Sequence, residues 1–278
     1  VGPCSWSRGA DVRVVPVDDP GDPRLVELTQ LTDAAARTRI EAEHGCFVAE
    51  GILTLDAVLG SNHPLRAVLV AEPKLDRVAA LLGATDVDVF VGPPPLLQGV
   101  TGYPIHRGVI ASVGRLPLPD PAVLLAGAHR VLVIEAVNDH ENLGSLFRNA
   151  AAFGVDAVLL DPRCADPLYR RSVRVSLGHV LHVPWTRIGP LHEALDDLAD
   201  AGLRTFALTP SGERTVHELA GARDDRIAWL VGAEGPGLDD ATLAAADARV
   251  RIPIAPGVDS LNVATAAAVA LALSSTLG

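Results

Sequence analysis

The order of apolar and polar residues divides the chain into two segments, each with alternating strand and helix patterns. Short continuous apolar runs are typical of strands buried on both faces of a sheet, and stretches with helical periodicity follow most of them. Between the segments lie Pro117, Pro119 and Pro121, and proline interrupts both helices and strands. The pattern predicts an α/β protein with an N-terminal extension at 1–22, a smaller α/β domain at 23–113, a linker at 114–127 and a larger domain at 128–278.

The smaller domain is predicted to begin with one amphipathic helix, because Leu25, Leu28, Leu31, Ala35 and Ile40 recur at helical spacing. Apolar runs then predict strands at 46–51, 67–70, 87–91 and 109–113, with helices at 53–59, 75–82 and 93–98.

The larger domain shows a clearer strand-then-helix rhythm. Strands are predicted at 130–137, 157–161, 180–183, 204–209, 227–232 and 249–254, and helices at 144–153, 190–201, 239–246 and 261–277. This alternation predicts a mainly parallel sheet that is covered on both faces. Ligands of such sheets bind at the carboxyl ends of the strands, so the loops there are the candidate sites.

The first candidate loop follows the strand at 130–137. Asn142 is a natural helix N-cap, Gly144 permits close approach of a ligand, and Arg148 lies six residues beyond Asn142. In a regular helix these two side chains are about 120° apart, so they converge only if Asn142 projects from the loop. Taken alone, the loop is better explained as a capped helix that carries one surface arginine.

Two further loops follow later strands. The glycine-rich loop at 232–238 has the order GxxGxG, which is not the GxGxxG order of dinucleotide-binding dehydrogenases. The carboxylate of Glu234 would also repel a pyrophosphate. In the loop at 252–263, Ser260 is the predicted N-cap of the last helix and Asn262 would project from its first turn. Taken alone, this loop is best explained as a capped helix after a Pro-Gly turn.

Composition narrows the function further. Three distant cysteines provide no disulfide framework, no His/Cys spacing suits a metal, and no apolar run or signal peptide predicts a membrane protein. We therefore expect a soluble cytoplasmic protein without a metal cofactor. The net charge of −11 weighs against a nucleic-acid partner. However, four arginines within twelve residues form either a local basic strip or a solvated helix face: Arg163, Arg170, Arg171 and Arg174.

Three histidines of the larger domain have different predicted positions. His140 lies in the first candidate loop, where it could contact a substrate, whereas His179 and His182 are expected on a sheet surface.

Together the three loops resemble the three motifs of the SpoU (TrmH-type) branch of the SPOUT RNA methyltransferases. The matches are N-x-G-x-x-x-R-x-A-x-x-F-G at 142–154, G-x-E-G-x-G-L at 232–238 and I-P-x-x-x-G-x-x-S-L-N-V at 252–263. More loosely, R-x-R at 37–39 and C-F-V-A-E-G at 46–51 are similar to the family's N-terminal substrate-binding domain, which has a ribosomal-protein-like α/β fold.

The resemblance implies transfer of a methyl group from S-adenosylmethionine to a ribose 2′-hydroxyl of RNA, with ribosomal RNA favoured over transfer RNA. It implies a trefoil knot that forms the cofactor pocket, and a homodimer whose site combines both subunits. The implied catalytic residues are Arg148, Asn142, Glu234, Ser260 and Asn262. The implied cofactor contacts are Thr209, Gly232, Ile252, Leu261 and Val263, and the candidate RNA contacts are Arg37, Arg39, Arg170, Arg171 and Arg174.

Arg148 is the family's catalytic arginine, but a guanidinium stays protonated at neutral pH, which makes simple general-base action doubtful. We expect it to hold an RNA phosphate and to stabilise the developing alkoxide, with that phosphate a candidate proton acceptor. Three alternatives stay open at this point: a catalytically silent RNA-binding module, a methyltransferase for antibiotic resistance, and a transfer-RNA enzyme. The presence of Asn142, Arg148, Glu234 and Asn262 speaks against the first.

Overall fold

The computed structural model describes residues 12–105, 107–219 and 226–274. The chain divides into two compact units, Val1–Leu116 and Pro117–Gly278, so the division falls inside the stretch predicted as a linker. Within the described residues, no helix is both long enough and apolar enough to cross a lipid bilayer.

The first unit contains a five-stranded sheet in the order β1-β4-β3-β5-β2, in which β5 is antiparallel to both of its neighbours. Strand β1 lies in the region predicted as an extension and pairs with β4 in parallel. The elements are β1 Arg13–Pro16, α1 Ala34–His44, β2 Cys46–Glu50, α2 Ile52–Leu59, β3 Leu65–Ala71, α3 Leu75–Leu82, β4 Asp88–Gly92, α4 Pro94–Thr101 and β5 Val109–Gly114.

The single helix predicted across 25–40 is wrong. The structure has a 3-10 helix at Pro23–Leu28 and then α1, which starts after Asp33. Gln30 adopts a left-handed backbone with φ 57°, and the Asp33 carboxylate accepts a hydrogen bond from Ala36 N, so the chain turns and a new helix is capped.

The second unit contains a seven-stranded sheet, parallel throughout, in the order β10-β12-β9-β11-β6-β7-β8. This confirms the predicted parallel sheet. Its elements are α5 Pro121–Leu125, β6 Arg130–Glu135, α6 His140–Ala152, β7 Ala157–Leu160, α7 Arg170–Val175, β8 Trp185–Arg187, α8 Leu191–Asp200, β9 Arg204–Leu208, β10 Arg214–Thr215, β11 Ile227–Gly232, α9 Asp240–Ala245, β12 Ala248–Arg251 and α10 Val263–Ser274.

Burial on both faces of the sheet explains why the sequences of the central strands are almost continuously apolar. All six residues of β6 and all six of β11 are buried, since these neighbouring strands lie in the middle of the sheet. Their parallel pairing brings Glu135 and Gly232 side by side at the carboxyl edge. The loops that carry the three motifs therefore emerge at one edge of the sheet.

One predicted strand is wrong. Residues 179–181 form a 3-10 helix instead of a strand, and the sheet continues later with β8. The backbone N–H groups of Leu181 and His182 donate to the carbonyls of Gly178 and His179 at 2.9 and 3.0 Å, so they form local turns and do not pair with a neighbouring strand. Just before this segment the chain turns at Leu177 and Gly178, whose left-handed backbones have φ 53° and 83°.

Candidate active site

Asn262 joins the three motif loops through its side-chain amide. Its Nδ2 donates to Asn142 Oδ1 at 2.7 Å and to Glu234 Oε1 at 2.6 Å. Its Oδ1 accepts from the backbone N–H groups of Ala264 and Thr265 at 3.0 and 3.1 Å. Asn262 is thus the N-cap of α10, and the predicted cap at Ser260 is wrong. Both ends of one amide are used, one by the helix and one by the site.

Asn142 is a first-turn residue of α6 and not its cap, which corrects the sequence prediction. The helix begins at His140, earlier than predicted, because the Asp139 carboxylate accepts from the backbone N–H groups of Glu141 and Asn142 at 2.9 and 2.8 Å. From this position the Asn142 side chain meets Asn262.

Asn149 is a site-supporting residue that the sequence analysis missed. It lies seven residues after Asn142, which places both side chains on the same face of α6. Its Nδ2 donates to the backbone carbonyl of Ala264 in the first turn of α10 at 2.7 Å. Two side-chain amides, about two helical turns apart, therefore fix α6 against α10. The seven-residue spacing of Asn142 and Asn149 is the sequence signal that could have identified Asn149.

Gly144 is buried and packs against α7, so the prediction that it admits a ligand is wrong. A Cβ atom at this position would lie 2.7 Å from the carbonyl oxygen of Ser172 and 3.0 Å from Cβ of Val175. The glycine lets two helices approach closely.

A cavity of about 680 Å³ opens beside the Asn262 amide. All five residues predicted to contact the cofactor line it, and so do three of the predicted catalytic residues: Thr209, Gly232, Ile252, Leu261, Val263, Glu234, Ser260 and Asn262. Aliphatic side chains form much of the wall, and the charged residues in the lining are Glu234, Arg251 and Asp259. Arg251 is fixed by hydrogen bonds from its Nη1 to the carbonyls of Gly212 and Glu213, at 2.6 and 3.1 Å.

The glycine-rich loop at 232–238 folds back on itself. Gly237 N donates to the Ala233 carbonyl at 2.9 Å, and a Cβ on Gly232 would lie 2.2 Å from the carbonyl carbon of Gly237. Gly235 and Gly237 have φ values of 85° and 76°, which favour glycine. These glycines are required by the turn itself, and the turn carries Glu234 at the cavity.

Arg163 is held by carboxylates and is not part of an exposed basic strip. Its guanidinium bonds Asp161 at 2.9 Å and Asp239 at 2.8 Å, and lies 3.4 Å from Glu135. The hydrogen bonds to Asp239 and then Asp161 raise the pKa of Arg163. Buried Glu135 also accepts from Asp239 N and Thr242 Oγ1, both at 2.8 Å. This cluster ties the ends of β6 and β7 to the start of α9, directly after the glycine-rich loop.

Arg148 is exposed on the outer face of α6, about 120° around the helix from Asn142, and does not belong to the described lining of the cavity. Its charge acts instead on His179, which begins the 3-10 helix. Burial, followed by the charges of His182 and Arg148, lowers the pKa of His179. The prediction that His179 and His182 lie on a sheet surface is therefore wrong.

Arg37 is buried inside the first unit, so its predicted contact with RNA is wrong. Only 1% of its surface is exposed, and its guanidinium bonds the Glu41 carboxylate at 2.8 Å and the Glu27 carbonyl at 2.6 Å. Arg39, two residues later on α1, is exposed.

The other arginines predicted to contact RNA lie on α7. Arg171 is exposed and 3.9 Å from Glu141, while Arg170 and Arg174 are half-buried. Nearby, the rings of His140 and Tyr169 are 4.2 Å apart, and burial, with a smaller contribution from Arg171, lowers the pKa of His140. In the described ranges, no three His, Cys, Asp or Glu side chains are grouped so as to hold a metal ion.

The second unit is an α/β domain whose parallel sheet carries a cavity at its carboxyl edge, beside the hydrogen-bonded side chains of the three motif loops. Residues 129–272 match the SpoU rRNA Methylase family. The chain belongs to this family, which confirms the resemblance of its three motifs.

Relatives support the same class. The uncharacterized tRNA/rRNA methyltransferase Rv0881 of Mycobacterium tuberculosis is 44% identical over 94% of this chain and 91% of its own length. The 23S rRNA (guanosine(2553)-2′-O)-methyltransferase RlmP of Bacillus subtilis is 31% identical over 64% of this chain and 73% of its own length.

A solved structure shares the fold. The AdoMet-bound rRNA methyltransferase from Sinorhizobium meliloti superposes with a TM-score of 0.78 and 24% identity, covering 94% of this chain and 97% of the other. The protein is an RNA methyltransferase of the SpoU family, and the family's methyl donor is S-adenosylmethionine.

Proposed function

We propose that this protein methylates a ribose 2′-hydroxyl and that its substrate is ribosomal RNA. The observation that carries the proposal is the Asn142–Asn262–Glu234 hydrogen-bonded group beside the cavity, since it joins residues of all three family motifs. RlmP, whose name specifies 2′-O-methylation of 23S rRNA, supports both the position and the RNA class.

The cavity suits S-adenosylmethionine in size and in charge. Aliphatic residues such as Ile252 and Leu261 offer an apolar surface to a purine, and Thr209, Gly232 and Val263 complete the proposed contacts. The ligand carries a sulfonium, an ammonium and one carboxylate. Two acidic side chains and one arginine in the lining therefore match its net positive charge. When bound, this cofactor supplies the methyl group that passes from its sulfur to the ribose oxygen.

The residues of this chain would prepare the ribose hydroxyl for that transfer. A hydroxyl is a weak nucleophile, so it must be oriented and its developing negative charge must be stabilised. We assign orientation of the ribose to Asn142, Ser260 and Asn262, with Glu234 holding the Asn262 amide in place. Arg148 stays protonated, so we assign it to the neighbouring RNA phosphate, which is the candidate acceptor of the hydroxyl proton.

We also propose that the active form is a knotted homodimer. Helix α10 has no charged residue, and Ala268, Val269 and Leu273 on its outer side are only half-buried. A helix that is apolar all round is normally buried. A second copy packed against α10 would complete its burial, and light scattering of the purified chain should then give twice its mass of 29.0 kDa.

The activity is tested with methyl-labelled S-adenosylmethionine and two substrates, unmodified ribosomal RNA and unmodified transfer RNA. We expect label in ribosomal RNA, and none with Asn262→Ala. Label in transfer RNA alone would overturn the substrate class. Tight RNA binding without label in either RNA would favour the silent binding module.

A further inference from the structure

Two aromatic rings meet at the start of α6, on the side of that helix opposite Asn142. The ring centroids of His140 and Tyr169 are 4.2 Å apart, and the rings are tilted by 43°. His140 is the first residue of α6, and Tyr169 immediately precedes α7. Two residues of an α-helix turn by about 200°, so the side chains of His140 and Asn142 leave opposite sides of the same turn. The ring pair is therefore next to the Asn142–Asn262–Glu234 group and separate from it.

Further contacts between the two helices fix the ring pair in place. Ser172 Oγ donates to the carbonyl of His140 at 2.9 Å, and Arg171 Nε lies 3.9 Å from Glu141 Oε1. Arg171 is also close enough for its charge to lower the pKa of His140, although burial has the larger effect. The rings are thus ordered before any ligand binds, and a ligand that stacks on them has little ordering cost to overcome.

The ring pair is partly open to solvent, unlike the other ring pairs that the structure describes in the second unit. Both of its rings are half-buried. The other two pairs are Phe147 with Trp185 and Phe206 with Trp229, and in each of them the phenylalanine is fully buried. Those pairs belong to the core, whereas this pair keeps aromatic surface accessible at the carboxyl edge of the sheet.

Basic side chains border this aromatic surface. Helix α7 has three arginines and no acidic residue, and the side chain of Arg171 is 48% exposed two residues after Tyr169. Aromatic faces beside arginines are typical of sites for unpaired RNA, where the rings stack on a base and the cations contact phosphates. A small apolar ligand would not need the arginines, and a simple anion would not need the rings.

We propose that an unpaired base next to the methylated nucleotide stacks on Tyr169 and His140, while Arg171 contacts a phosphate of the same strand. The inference rests on the proposed function, because RNA bound for methylation is what brings a base to these rings. An α-helix with its side chains is about 10–12 Å across. The rings are therefore too far around α6 to hold the ribose that Asn142 orients, and a neighbouring nucleotide is the part of the RNA that reaches them.

The test is filter binding of unmodified 23S ribosomal RNA and unmodified transfer RNA, both transcribed in vitro, over a series of KCl concentrations. Variants are compared on the RNA that the wild type binds more tightly. Tyr169→Phe keeps the aromatic face, whereas Tyr169→Leu keeps apolar bulk and removes that face. Trp185→Phe and Trp185→Leu are the matched controls, since Trp185 is also half-buried and also contacts a ring of α6. Calorimetric titration with S-adenosylhomocysteine checks that each variant is folded.

We expect Tyr169→Phe to bind RNA like the wild type and Tyr169→Leu to bind about tenfold more weakly, as for the loss of one base stack. No charge changes in these variants, so the ratio should be the same at every KCl concentration. Arg171→Gln should instead make the salt dependence shallower by about 0.7, the value for one phosphate contact to a single strand. Both Trp185 variants should retain wild-type RNA affinity, even where their melting temperatures fall.

Wild-type affinity of Tyr169→Leu would overturn the inference, and so would equal weakening in Tyr169→Phe and Tyr169→Leu, since the ring face would then not be what binds. His140→Leu removes the second ring and gives an independent comparison if Tyr169→Leu does not bind S-adenosylhomocysteine. Methyl transfer is not involved in these measurements, so their failure would leave the proposed methylation intact. The expected difference between phenylalanine and leucine without any methylation would count against the proposed function alone.

Discussion

The side-chain amide of Asn262 donates a 2.6 Å hydrogen bond from Nδ2 to the Glu234 carboxylate, while its side-chain oxygen Oδ1 caps helix α10. The cap fixes which end of the amide faces the helix, so the nitrogen must face the site. The start of the last helix and the orientation of the candidate catalytic group are thus a single structural unit.

Asn262→Asp separates these two roles. The aspartate retains the cap acceptor, so the melting temperature should fall less than in Asn262→Ala, where loss of the cap costs about 1 kcal/mol. It also replaces the amide donor with a second carboxylate facing Glu234, and the methylation rate should fall about 100-fold. Thermal unfolding and single-turnover methylation measure the two effects, with Thr265→Ala as control. Wild-type turnover by Asn262→Asp would contradict the role given to the amide.

Arg148→Ala should abolish methyl transfer and leave S-adenosylmethionine affinity nearly unchanged, because Arg148 lies on the outer face of α6 and does not line the cavity. Calorimetric titration of the cofactor and labelled methyl transfer to RNA provide the two readouts. Equal loss of both would show that the arginine supports the cavity, and the assignment to phosphate would fail.

Replacement of Arg163 by alanine should lower the stability of the protein, whereas replacement of Arg171 should weaken RNA binding. Arg163→Ala leaves buried Asp161 and Glu135 without their cation, and the free energy of unfolding should fall by about 2 kcal/mol. Arg171→Ala should change stability by less than about 0.5 kcal/mol, because its Glu141 pair is long and exposed. Denaturant titrations measure both, and RNA binding should weaken directly only in Arg171→Ala. The reverse pattern would refute the division between structural and RNA-facing arginines.

Arg37 and Arg39 provide a matched pair in the first unit. Arg37→Ala leaves buried Glu41 with Arg115 as its remaining ion-pair partner among the described residues, and unfolding free energy should fall by about 3 kcal/mol. Arg39→Ala should change the unfolding free energy by less than about 0.5 kcal/mol, because this residue is exposed. Any effect of Arg39→Ala should appear in RNA binding. An Arg37→Ala protein of wild-type stability would mean that the buried ion pair contributes nothing.

Sequence patterns predicted the parallel sheet well because its strands are buried on both faces. The apolar runs of β6 and β11 are only 6 residues long, and that length favours a buried strand over a helix. The 3-10 helix at His179–Leu181 was not predicted because the chain turns just before it at a left-handed Leu177, and a leucine does not signal such a backbone.

Helix caps account for most of the errors at the site. Two residues that can cap a helix lie near the start of α6, Asp139 and Asn142, and two near the start of α10, Ser260 and Asn262. Because the capping preferences of these residue types are similar, the local sequence does not show which of them is the cap. The bond between Asn262 and Asn142 joins residues 120 positions apart, so only the fold decides it. Likewise, burial of Arg37 depends on what packs over α1, which periodicity does not show.

We propose that this chain methylates a ribose oxygen in ribosomal RNA. This proposal is tested most directly by transferring labelled methyl groups from S-adenosylmethionine to unmodified ribosomal RNA, digesting the RNA to nucleosides and identifying the labelled product. We expect a single 2′-O-methylnucleoside whose formation requires both Arg148 and Asn262. Label in a methylated base would contradict it, since the residues around the cavity would then have been assigned to the wrong acceptor.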